Sequence, residues 1–143
     1  MERPIHPDFL KHLEMKEINL IELYADLRNY IIEICPDANE LLYHTHALTS
    51  VYSLSDKLGD AFCMIPIYSN HLNLGFHQGT LLPDRNQLLQ GTGKLIRHIP
   101  VKRSSDYKNK GVRKLIDDSI ALAKEEMTKP SKLKGQTISK IKN

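Results

Sequence analysis

The chain has no tryptophan, two cysteines and few aromatic residues, 6% of its 143 positions. Cys35 and Cys63 form no CxxC pair and offer no disulfide framework, so both thiols are read as buried and inert. Long hydrophobic runs are also missing. The longest, Phe62–Ile67, is interrupted by Pro66 and is far too short to cross a bilayer. No N-terminal apolar segment reads as a signal peptide. These absences argue against a membrane partner and predict a soluble, cytoplasmic protein. Catalytic signatures are equally scarce: there is no HExxH, no Cys/His cluster and no dense carboxylate pair. Ser53, Ser55 and Ser69 lie near histidines in sequence only, so nucleophilic catalysis has no motif behind it. The reading leans toward a protein that is not an enzyme.

What is present suffices for an ordinary fold. At 41% hydrophobic residues, 143 positions make one domain with a sizeable core. The net charge of +3 misleads, because residues 128–143 hold five lysines and no acid, and without those five the balance becomes −2. That basic segment, with Pro130 and Gly135, reads as a disordered tail. It has no aromatic residue on which a base could stack, which argues against nucleic acid. Residues 1–15, with Pro4 and Pro7, read as a loosely attached leader. The folded domain is therefore expected at 16–127.

Within that span the periodicity changes twice. Leu20, Leu23, Tyr24, Leu27, Tyr30, Ile31 and Ile34 recur at three- and four-residue intervals and predict a helix over 17–34, stopped by Pro36. Alternating and β-branched residues then predict strands at 48–54, 61–68 and 71–77, joined by links short enough to demand antiparallel pairing. Leu72, Leu74 and Phe76 share one face of the third; His71, Asn73, Gly75 and His77 share the other. A fourth strand is expected at 95–101. A last helix at 111–126 presents Val112, Leu115, Ile116, Ser119, Ile120 and Ala123 inward. The fold class is α+β, an antiparallel sheet of four or more strands with two principal helices packed mainly on one face.

Four segments in order carry a family likeness: Leu74-Gly75-Phe76, then Gly79-Thr80-Leu81-Leu82-Pro83-Asp84, then Leu88-Leu89-Gln90-Gly91-Thr92-Gly93-Lys94, then Arg97-His98-Ile99. With the Cys35-Pro36 helix end, Glu40–Tyr43 and the late helix, they make residues 17–125 resemble the YdhG-like family, whose biochemistry is mostly unassigned. The resemblance implies a frataxin-like layout and, for some members, an iron-chaperone role. Iron would then be the implied ion, bound by exposed carboxylates. Glu22, Asp26, Glu33, Asp37 and Glu40 are the candidates for it, and they are sparse.

The residues themselves suggest other sites. Gly91-Thr92-Gly93-Lys94 is not a phosphate loop: Leu88 stands where the first glycine belongs, and Leu95 follows the lysine where Ser or Thr should hold magnesium. Its glycines are read as turning the chain into a strand. His44 and His46, two apart, would face one way on an extended segment and are the candidate metal pair. Lys94, Arg97 and His98 form a local cationic group, with Arg97 alternatively paired to Asp84. A ligand pocket is expected between the polar sheet face and the Leu82–Lys94 excursion, lined by His77, Lys94, Arg97 and His98, with Tyr43, His44 and His46 reaching the same region. The plainer alternative is that the excursion only covers the sheet edge. The resulting function is a non-enzymatic module for a small ligand or ion. The alternatives are a protein-interaction or homodimerisation domain, or an enzyme with an unrecognised site near that loop.

Overall fold

A computed structural model describes residues 3–142. The apolar stripe of the first long helix, α2 (Ile18–Ile34), buries Leu20, Tyr24, Leu27 and Ile31. The last helix, α3 (Lys110–Glu126), begins where the Asn109 side chain accepts the Val112 N–H at 2.9 Å. It buries Val112, Leu115, Ile116, Ser119 and Ala123, and carries the exposed pairs Arg113–Asp117 and Lys114–Asp118 one turn apart.

The strands are β1 (Asn39–His44), β2 (Leu48–Ser53), β3 (Ala61–Ile67), β4 (Leu72–Phe76), β5 (Arg97–Val101) and β6 (Thr137–Ser139). They form one sheet in the order β5-β4-β3-β2-β1-β6. Neighbours from β1 to β5 pair antiparallel, whereas β6 runs parallel to β1. The sheet is thus mixed, not wholly antiparallel as expected. The helices pack on one face against alternate residues such as Leu42, Tyr52, Ile65, Leu74, Phe76 and Ile99. A bulge between Tyr52 and Ser53 skips Phe62, so that Phe62 and Cys63 both enter this core. The opposite face has a small cluster of Leu41, Val51 and Ala61, covered by Tyr43, Met64 and Ile138.

Both chain ends depart from expectation. The supposed leader contains a helix, α1 (Pro7–Leu13), which buries Phe9 and Leu13 completely. Pro7 does not block it, because a helix's first residues have no use for an N–H donor, and the His6 ring accepts from the Asp8 N–H at 3.0 Å. The supposed disordered tail supplies β6 and buries Ile141. Its lysines are exposed, as is Leu133, while Ile138 is half-buried and Ile141 buried.

The termini meet at a buried polar network. Arg28 and Glu40, with side chains 3% and 1% exposed, pair at 2.7 and 2.9 Å. Arg28 also donates to the carbonyls of Arg3 and Pro4. Glu40 accepts from Thr137 of β6 and from Tyr52. Tyr24 donates to Ser50, whose hydroxyl bonds that of Tyr52, so a chain of hydroxyls ends on the carboxylate.

Candidate functional site

The Leu82–Lys94 excursion folds down onto the sheet edge. Asp84 accepts the Leu88 and Leu89 N–H groups at 2.8 and 2.9 Å and so turns the loop. Leu82 enters the core, and Leu88 and Leu89 pack against it. Gln90 and His98 then exchange both backbone hydrogen bonds, at 2.8 and 2.9 Å. Further along the exposed side of β5, Pro100 has no N–H to offer. The edge is thus closed against another strand. Gly91 adopts φ 131°, and a Cβ there would stand 3.3 Å from Arg97 Cδ. The glycine is required by the turn, as the sequence suggested.

This geometry separates most of the expected site residues. Arg97 does not pair with Asp84; it donates to the carbonyls of Gly93 and Ile96 at 2.5 and 2.9 Å. Lys94 is exposed, and its carbonyl accepts from the Thr80 hydroxyl. His98 pairs with Gly75 and Arg97 with Phe76, so the two side chains leave the strand toward opposite faces. Tyr43 lies four strand spacings from β5, about 19 Å, too far to join His98. His44 packs against His12 of α1, with ring centroids 4.0 Å apart, instead of joining His46. None of four principal cavities is lined by Tyr43, His44, His46, His77, Lys94, Arg97 or His98.

His77 is half-buried, and its Nδ1 is buried with no hydrogen-bond partner among the described residues. Burial holds its pKa below the ordinary histidine value. The unfolded chain therefore takes up the proton first, and stability is full above the unfolded value of about 6.5 and declines as pH falls through it. Melting temperatures between pH 7.5 and 5.5 should fall, with His77 contributing at most about 1.4 kcal/mol per pH unit. His12, lowered by burial and by His44, acts in the same direction. His77→Asn should flatten the profile. An unchanged slope would assign the acid sensitivity elsewhere.

The carboxylates are dispersed. Glu40 is committed to Arg28, Asp37 lies 3.9 Å from Lys134, and Glu22 and Glu33 are exposed. Among the described residues no group of three or more His, Cys, Asp or Glu side chains is placed to hold a metal ion. Both cysteines are free; burial raises the Cys35 thiol and pushes Cys63 up to about 12, which leaves neither activated as a nucleophile.

The largest of the four cavities is an open groove of about 770 Å³. One wall is the residue before α2, Glu17, and the first half of that helix, with Glu22 and Asp26. The facing wall is the connection from β5 to α3, with Lys102, Ser104 and Lys108, and the β3–β4 turn closes one end with Asn70 and His71. Asp26 is the organised group. The buried Tyr107 hydroxyl donates a hydrogen bond to it, and Lys108 Nζ approaches to 2.9 Å. The Tyr107 bond, then Lys108, hold the Asp26 carboxyl below the usual carboxylate range against the opposing effect of burial. Tyr107 is itself fixed by packing on Tyr30 with ring centroids 5.4 Å apart, and Asp106 ties the loop by accepting from the Lys102 and Arg103 N–H groups. The groove thus presents an acidic wall, a basic wall and amide groups, with no activated nucleophile. Sequence reasoning offered Asp26 only as one of several sparse carboxylates and did not join it to Tyr107 and Lys108, which are 81 and 82 residues away.

Comparisons with family models, with curated proteins and with solved structures find no match to this chain. Among the described residues no helix is long and apolar enough to cross a membrane.

Proposed function

We propose that this protein is a non-enzymatic cytoplasmic module that binds a small polar molecule bearing charges of both signs, in the groove between α2 and the β5–α3 connection. The observation that carries the reading is Asp26, an ionised carboxylate held by a buried tyrosine at the boundary between an acidic and a basic wall. Binding groups fixed in this way need no reorganisation when a ligand arrives. The YdhG-like likeness, carried by the LLPD, GTGK and RHI segments, belongs to the same reading. The dispersal of the carboxylates favours an organic ligand over iron. The alternative, docking to another protein, draws on Met15 and Ile18, apolar side chains 83% and 71% exposed.

The test is a titration followed by amide and histidine resonances, with lysine as the probe carrying both charges and a polyamine and a phosphate ester as probes of each wall alone. A matching ligand should shift His71, Lys102 and Lys108 together, and Asp26→Asn should weaken it about tenfold, the loss of one charge-assisted contact. If no probe moves these signals at millimolar concentration, the groove reading fails and the interaction reading replaces it.

A further inference from the structure

We propose that His12 and His44 form an exchangeable docking site for a divalent transition-metal ion. The site is separate from the groove and does not depend on the function proposed for it. Its two rings come from different elements. His12 lies on α1, seated by the fully buried Phe9 and Leu13. His44 ends β1 and is fixed across the hairpin by its pairing with Leu48. Their ring centroids stand 4.0 Å apart with the planes tilted by 45°.

That spacing suggests which ions fit. With metal–nitrogen bonds of about 2.0–2.1 Å, each ring centre would lie roughly 3.2 Å from a shared ion. Were each ring to turn one nitrogen to a shared ion, centres 4.0 Å apart would subtend roughly 80° at it. This is near the right angle between neighbouring ligands of an octahedral or tetragonal ion, and well short of the tetrahedral angle zinc prefers in closed sites. Imidazole nitrogen suits nickel and copper. Asp8, one turn before His12 on α1, is engaged by the Ser139 hydroxyl at 2.7 Å. With no third side chain placed to ligate among the described residues, water would fill the other positions, and the bound ion would stay open to exchange and to an incoming ligand.

Tag-free full-length protein titrated with Ni2+, followed by calorimetry and histidine resonances, tests the site. One equivalent should bind saturably below millimolar concentration and shift His12 and His44 together. His12→Gln and His44→Gln should each weaken binding at least tenfold. His46→Gln should leave it unchanged, and all three variants should keep the metal-free melting temperature within a few degrees because the rings lie at the surface. Binding that survives His12→Gln but is lost in His46→Gln would place the ion at the hairpin turn and overturn the proposal. So would the absence of saturable Ni2+ or Cu2+ binding below millimolar.

Discussion

Arg28→Ala should destabilise the protein by about 3–5 kcal/mol, the range for leaving one member of a buried ion pair without its partner. For a chain of this size the melting temperature should drop by roughly 10–15 °C. The Glu40 side chain is 1% exposed, so its charge has no route to water once the guanidinium is gone. Tyr52 and Thr137 would still donate to it, but neither carries a charge. The same substitution removes the donors that hold the Arg3 and Pro4 carbonyls, and with them the approach to α1. The double variant Arg28→Met, Glu40→Leu separates charge from packing. It should lose less than the single variant, because no charge is left buried. Thermal and denaturant unfolding of the two variants beside the parent decide the matter. If the double variant is as unstable as the single one, the loss belongs to the hydroxyl chain and the terminal carbonyls and not to the stranded charge.

The same network shows which parts of the fold could be read from the sequence. α2, α3 and β2 to β5 each carry enough consecutive apolar residues for a period to show, and Leu72, Leu74 and Phe76 bury on the face expected of them. Glu40–Tyr43 is harder, because β1 holds a buried glutamate at the one place where alternation would be checked, and Glu40 is acceptable there only because Arg28, twelve residues earlier, faces it. Without that partner the position reads as surface. The excursion between β4 and β5 showed its turn residues plainly, but its destination depends on Gln90 meeting His98 across the edge, which no local pattern encodes. The groove is less legible still. Asp26 gains its role from Tyr107, and the KRSSDYKNK run between β5 and α3 looks in isolation like any solvated basic loop. His44 could be paired with His46 by spacing, while the ring it meets is His12, on a helix that two prolines had seemed to forbid.

Deleting everything after Thr128 should lower stability by about 2–4 kcal/mol and the melting temperature by roughly 6–12 °C. The composition of that segment argues for no effect at all, so the experiment discriminates sharply. β6 has only three residues, yet its backbone continues the sheet: the Glu40 N–H donates to the Gln136 carbonyl and the Lys140 N–H to the Leu42 carbonyl, both at 2.8 Å. Asn39 is fully buried; its Oδ1 accepts the Gln136 N–H at 3.0 Å, and its Nδ2 donates to the Leu133 carbonyl at 2.9 Å and to the Ser55 carbonyl at 3.2 Å, of which only the Ser55 bond survives truncation. Glu40 would lose the Thr137 hydroxyl, Asp8 would lose that of Ser139, and the core would lose Ile141. Against these losses stands the cost of ordering the docked tail, which the truncated chain no longer bears, and water can enter beside Asn39 once the tail has gone, which keeps the net effect to a few kcal/mol. Ile141→Asp in the untruncated chain is the finer probe, because it leaves every lysine in place and sets a charge where the apolar anchor was buried. It should reproduce a substantial part of the truncation's loss and raise amide exchange along β1. A truncated chain that melts with the parent would mean that β6 is undocked in solution, and that Arg28 and Glu40 hold the N-terminal segment alone.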